Sequence, residues 1–194
     1  MNEGEREYPD PNNPNTIDGI DLQHIQRYEF ANELIGNNDI VYDIACGCGY
    51  ASKIITAKKY LGIDYSQEAI DYAFENFANP FGDMEVRFKQ ADAHKLPRID
   101  KADVIVSFET IEHLRYPTMF LEWCEDHCEK MIISSPIHGS CNQSMFHIKE
   151  FSIIEFQELL SNYWHDIDYY IQDGLKIRHG IDPDEQGILI GVCE

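Results

Sequence analysis

The 194 residues and 22.5 kDa suit one ordinary domain around a large sheet, with no room for a second full domain. With 43% hydrophobic and 26% charged residues, the composition excludes global disorder and a fibrous repeat. Fifteen Lys and Arg stand against 35 Asp and Glu, and a formal charge of -20 with no basic arm disfavours capture of a nucleic acid or an anionic membrane.

The start, Met-Asn-Glu-Gly-Glu-Arg-Glu, lacks the positive charge and apolar run of a signal peptide, and no apolar stretch reaches the about 20 residues of a membrane span. The expectation is a cytoplasmic protein. Residues 1–15, rich in Pro and Asn, read as a flexible arm that orders on a ligand. Apolar positions at helical spacing then predict a helix from Ile20 to Ile35, stopped by Gly36 and Asn37.

Strands and helices alternate from there: Ile40–Ala45 (strand), Tyr50–Ala57 (helix), Tyr60–Ile63 (strand), Gln67–Phe77 (helix) and Glu85–Gln90 (strand). Ala102–Phe108 follows as a strand, Pro117–His127 as a helix with Pro in its first turn, Lys130–Ser134 as a strand and Ile153–Ser161 as a helix. Two strands, Trp164–Ile171 and Gln186–Cys193, close the chain around a loop holding Gly174, Gly180 and Pro183, so they pair antiparallel. The fold class is therefore α/β: one doubly wound Rossmann-like domain over residues 1–194, with a mostly parallel seven-stranded sheet, an antiparallel last strand and helices on both faces.

None of the six cysteines lies in CxxC spacing, so reduced thiols are expected; Cys124, His127 and Cys128 share one helical turn and read as packing residues rather than zinc ligands. In such a sheet a ligand binds beyond the carboxyl ends of the strands, where strand order reverses. The first strand runs straight into Ala45-Cys46-Gly47-Cys48-Gly49-Tyr50, a Gly-x-Gly turn at a helix start, with Ser52 where a dinucleotide fingerprint has its third glycine. Acids end successive strands: Asp43 at the first, Asp64 at the second, Asp92 after the third. A carboxylate in that place can accept two hydrogen bonds from vicinal hydroxyls, although Asp64 could instead cap the following helix and Asp92 could simply serve a turn.

This succession resembles the class I S-adenosylmethionine-dependent methyltransferases, small-molecule O-methyltransferase-like branch. Residues His94 to Pro97 and Ala102 to Leu114 resemble that branch too, and the resemblance spans roughly residues 20 to 165. It implies S-adenosyl-L-methionine as cofactor, with Asp43, Ala45, Gly47, Gly49, Asp64, Tyr65, Asp92, Ala93 and Phe108 around it, Asp64 on the ribose and Asp92 near the adenine amine. It also implies that the N-terminal helix covers the cofactor, with Tyr28 either facing the sulfonium or packing in the core. Ala45 stands where the family most often has a glycine.

Glu109, Glu112 and His113 lie at i, i+3 and i+4, on one face if this segment is helical. The spacing resembles a metal motif of ubiquinone-pathway O-methyltransferases and of small-RNA terminal 2′-O-methyltransferases, the latter with a further histidine where His147 stands. Three readings stay open: a Mg²⁺ or Mn²⁺ site of Glu109, Glu112, His113 and His147; His113, helped by Glu109, as general base; or a structural turn. The expected acceptor is a small-molecule hydroxyl, contacted by residues 1–20 and 135–147. The alternatives are RNA 2′-O-methylation and a non-catalytic cofactor-binding regulatory protein.

Overall fold

The computed structural model describes residues 6–139, 146–182 and 185–194. Its strands are β1 (Ile40–Ile44), β2 (Lys59–Asp64), β3 (Glu85–Gln90), β4 (Val104–Ser107), β5 (Lys130–Pro136), β6 (Ile167–Asp173), β7 (Lys176–His179) and β8 (Ile188–Cys193). The helices are α1 (Leu22–Glu33), α2 (Gln67–Phe77), α3 (Pro117–His127) and α4 (Ile153–Ser161). All strands join one sheet in the order β3-β2-β1-β4-β5-β8-β6-β7. The first five run parallel, whereas β8 is antiparallel to both its neighbours and β7 to β6.

Strands covered on both faces read as apolar runs because every residue meets a core. In β4 and β5 the alternation is plain: Ile105, Met131 and Ile133 enter the core shared with Phe120 and Leu121 of α3 and Phe156 and Leu160 of α4. Val104, Val106 and Ile132 enter the opposite core, with Ile25, Tyr28 and Ala31 of α1 and Phe77 of α2. Period-2 side-chain geometry thus builds two layers of helices on one sheet.

Local signals fix the helix starts. Ser66 caps α2 by accepting the Ala69 amide at 3.3 Å, and Ser152 with Glu155 forms a reciprocal capping box on α4. The segment expected as a helix from Tyr50 to Ala57 closes only a 3-10 turn, Tyr50–Lys53. The β-branched run Ile54-Ile55-Thr56 disfavours continuation, and the Thr56 amide donates to the Asn32 side chain at 2.6 Å instead.

The sheet has one strand more than expected. Gly174, at φ +56°, opens a two-residue turn that folds β7 back on β6, with Asp173 opposite Lys176. Residues 6–15, expected as a flexible arm, are turn-rich but tied down by bonds such as Asp10 N–H to Asp18 C=O at 2.6 Å. Residues 1–5, 140–145 (with Cys141) and 183–184 (with Pro183) lie outside the described residues, so part of the arm and the middle of the expected 135–147 acceptor loop do too.

Candidate active site

Strand order reverses between β1 and β4, and the chain leaves both by the same device. Ala45 after β1 and Glu109 after β4 are the two non-glycine residues with positive φ among the described residues, +67° and +47°. This region costs an L-residue roughly 1–2 kcal/mol, so each turn must be held by its surroundings. The Ser107 hydroxyl donates to the Ile44 carbonyl at 2.9 Å, fastening the two strand ends together. A cleft opens above them in two chambers, of about 390 and 230 Å³, both lined by Ala45 and His113.

Asp64, Tyr65, Asp92 and Ala93 line the smaller chamber. The Asp64 side chain is fully buried, and its Oδ1 accepts the Ser66 amide at 2.9 Å while Oδ2 accepts the Gly47 amide at 3.0 Å. The cap of α2 is therefore Ser66, and Asp64 is left to bind the glycine turn. Asp92 accepts both the amide and Nδ1 of His94, at 2.9 and 3.0 Å. The His94 amide bond, offset in part by burial, holds its carboxyl below the ordinary carboxylate range.

The glycines divide their work. A side chain at Gly47, φ +56°, would meet open space, so there the turn presents bare backbone to the larger chamber. A Cβ on Gly49, φ +84°, would meet the Phe88 ring at 2.5 Å and the Ala73 methyl at 2.8 Å. Gly49 lets the turn pack on β3 and α2, and it lines neither chamber among the described residues.

Asp43 also lines neither chamber. It is fully buried and accepts the hydroxyls of Tyr28, at 3.2 Å, and Tyr60. Burial pushes its carboxyl up to about 7, against the pull of those two donors. Tyr28 packs in the core, edge-on to Phe108 with ring centroids 5.0 Å apart, and also lines the larger chamber.

The larger chamber is also lined by Phe108, Glu109, His113 and His147, with His24 and Arg27 from α1. The Glu109 carboxylate is not turned toward its expected partners. It accepts from Arg27 and, at 3.0 Å, from His24 Nε2. Burial would push its carboxyl up, but the Arg27 charge and the His24 bond prevail and hold it at about 2. Arg27, 1% exposed, also donates to the Gln172 side chain of β6 at 2.6 Å.

Three of the four expected metal-binding residues do come together. Ligand atoms of Glu112, His113 and His147 lie within 4.8 Å of one another. Glu112 sits in the 3-10 turn Ile111–His113, fully buried beside Ser135, and burial together with the Glu109 charge drives its carboxyl well above the ordinary range. His113 Nδ1 faces the Phe146 carbonyl at 3.2 Å, and the two imidazoles meet edge to face at 4.9 Å. Among the described side chains only Ser135 is placed to donate to the Glu112 carboxyl, so its burial favours a proton or a cation there. The donor set, one carboxylate and two imidazoles, suits Mn²⁺, Fe²⁺ or Zn²⁺ better than Mg²⁺, which prefers oxygen ligands.

Residues 35–165 match the family described as "Methyltransferase domain". The chain belongs to this methyltransferase-domain family. A relative in Mycolicibacterium smegmatis, named "Probable S-adenosylmethionine-dependent methyltransferase", is 24% identical over 152 residues, 72% of this chain and 55% of that protein. The chain spans about half the length, or less, of the curated relatives it matches. Among solved structures, magnesium protoporphyrin IX methyltransferase of Synechocystis PCC 6803, with bound SAH, is 13% identical at TM-score 0.63, covering 89% of this chain and 84% of that one. The methyltransferase domain of bacterial CtHen1-CN is 19% identical at TM-score 0.67, covering 88% and 98%. At these identities the structures show the fold alone, one that this chain shares with those methyltransferases.

Two of the residues this methyltransferase places around its cleft escaped the sequence reading. Arg6 lines the larger chamber from the N-terminal arm, and Gln172 holds Arg27 from β6, far from either in sequence. A single Arg between two Glu and a Gln inside a strand carry no local signal. Only the sheet order makes Gln172 a neighbour of α1.

Proposed function

We propose that this chain methylates a hydroxyl of a small molecule such as a sugar or a biosynthetic intermediate, using S-adenosyl-L-methionine. One observation carries the reading: the acids of the smaller chamber and the imidazoles of the larger one face a single cleft joined at Ala45 and His113. Asp64 and Asp92 suit the ribose hydroxyls and the adenine amine, and the open backbone at Gly47 suits close approach of the amino-acid tail. When bound, the cofactor supplies an electrophilic methyl group on a sulfonium. The chain's own work is to align the acceptor oxygen for in-line displacement, for which bound geometry is worth ~7–11 kcal/mol, and to take the hydroxyl proton.

His113 is the proton acceptor we favour, because it lines both chambers. Glu109, held at about 2 and bound to Arg27 and His24, is a weak base; its place is to tie α1 over the cleft. In the alternative, Glu112, His113 and His147 would hold a divalent cation such as Mn²⁺, which would lower the pKa of an acceptor hydroxyl, with His113 a ligand and not the base. Chelation then abolishes turnover, and added Mn²⁺ restores it. A rate indifferent to chelator removes the metal and leaves His113 as base.

A second reading, RNA 2′-O-methylation, is favoured by the assembly of Glu112, His113 and His147, and opposed by the charge of -20. A screen with labelled cofactor over hydroxylated metabolites, sugar nucleotides and single-stranded RNA ends separates the two. Methylation of RNA ends and of no small molecule overturns the first. Calorimetry tests the cofactor itself: S-adenosylhomocysteine binds wild type, and Asp64→Ala loses about 1.5–3 kcal/mol with a charged acceptor. Equal affinity in the variant refutes the ribose assignment.

A further inference from the structure

The N-terminal arm reaches the same carboxylate that the ribose is proposed to use. Arg6 Nη2 lies 3.2 Å from Asp64 Oδ1, with the two side chains 4% and 0% exposed, and the guanidinium sits 4.9 Å from the centre of the Tyr65 ring. The pair is closed to water, whereas exposed ion pairs hold little.

The count of acceptor positions on Asp64 decides what this contact means. An ionised carboxylate offers about four lone-pair positions, two on each oxygen. Ser66 N–H takes one on Oδ1, Gly47 N–H takes one on Oδ2, and Arg6 takes the second on Oδ1. A vicinal diol bound across the carboxylate needs one position on each oxygen. Oδ2 has one to give, but Oδ1 has none while Arg6 is present. The two amides are backbone groups fixed by the start of α2 and by the glycine turn. Arg6 alone is carried on a rotatable side chain.

We propose that Arg6 is an exchangeable latch on Asp64, displaced by the ribose diol of the incoming cofactor; this rests on the cofactor reading above. Until the diol arrives, the guanidinium supplies the countercharge that the two amides do not give this buried carboxylate. The exchange is local to the tip of the arm, because the residues behind it have separate anchors. Glu7 accepts the Asp21 amide at 2.8 Å through its side chain and the Cys48 thiol at 3.2 Å through its carbonyl. Tyr8 packs edge-on against Tyr72 at 5.0 Å, and the Tyr72 hydroxyl donates to the Pro14 carbonyl at 3.0 Å. The arm can stay seated while one side chain swings off Asp64.

The test is calorimetry of S-adenosylhomocysteine, adenosine and 2′,3′-dideoxyadenosine with wild type, Arg6→Ala and Arg6→Lys, with thermal unfolding as the check that each variant folds. With the latch gone, Arg6→Ala binds S-adenosylhomocysteine and adenosine about fivefold or more tightly than wild type. Dideoxyadenosine, which has no diol to compete, gains nothing. Arg6→Lys keeps a charge on Asp64 and stays near wild type. Weaker binding of S-adenosylhomocysteine by folded Arg6→Ala overturns the latch and makes Arg6 a residue that holds the cofactor. An equal gain for dideoxyadenosine overturns it too, by showing that the arm merely blocks the chamber. Binding by wild type with no effect of Arg6→Ala leaves the cofactor reading standing and the latch refuted, whereas no binding by either protein overturns both.

Discussion

The two chambers of the cleft are built by different means. In the smaller chamber the acids are held mainly by close neighbours: Asp64 by Ser66 two residues on and by the glycine turn of the adjacent strand, Asp92 by His94 two residues on. In the larger chamber the charged groups depend on distant ones. Glu109 is tied to Arg27 across 82 residues, Arg27 to Gln172 across 145, and His113 to Phe146 across 33. A chamber built from turns survives as long as its strands do. One assembled across the fold can be loosened alone.

Breaking the longest-range link should have the largest effect. Arg27→Met strands the buried Gln172 and the mostly buried Glu109 without their cation, which for a buried pair costs about 3–5 kcal/mol. The expected fall in Tm is roughly 6–20 °C for a domain of this size. Affinity for S-adenosylhomocysteine, measured below the transition, should hold. Loss of cofactor binding in a folded variant would show that the two sides are not separable.

The next effect is on chemistry. His113→Ala lowers turnover about 100-fold, or ~2.7 kcal/mol, and leaves cofactor affinity within about twofold. A loss much smaller than this returns the Ile111–His113 turn to a structural role. A third experiment compares the buried acids through pH. Asp43, pushed up to about 7, keeps a proton in the folded state that the unfolded chain releases near its ordinary value. Between those limits the folded state binds more protons, so stability falls as pH rises, by at most about 1.4 kcal/mol per pH unit, and flattens above about 7. Asp43→Asn removes this share of the slope, leaving that of Glu112, whose carboxyl is also pushed up. Unfolding by urea across that range measures it. A slope unchanged in the variant would show that Asp43 is ionised in the folded protein.

What could be read in the sequence follows the same division. α2, α3, α4 and β3 match the expected boundaries residue for residue, because each carries its own period and its own start or stop. The acids at the strand ends and the glycine turn were legible for the same reason. The sequence also held a missed signal, Gly174-Leu175 between two strand-forming runs, which turns β6 and β7 into a hairpin rather than a loop. The direction in which Glu109 points was not legible. Spacing put it beside Glu112 and His113, but a cation from α1 draws its carboxylate away, and helical spacing on a short turn says nothing about partners from elsewhere. Asp43 was legible as a strand-end acid, but its two tyrosine partners, from α1 and β2, were not.

The added hairpin also decides how the sheet ends. A bare edge strand offers unpaired amides and carbonyls to any second chain, and adding a strand there is a common route to aggregation. Here one edge is β7, with Lys176, Arg178 and His179 exposed, and the other is β3, with Arg87 and Lys89 exposed. A chain carrying only 15 Lys and Arg thus places four of them on its two margins, and on β3 Asn79 already pairs with Val86. Two copies meeting β7 to β7 or β3 to β3 would bring like charges face to face along those margins, which opposes growth of the sheet from one molecule into the next.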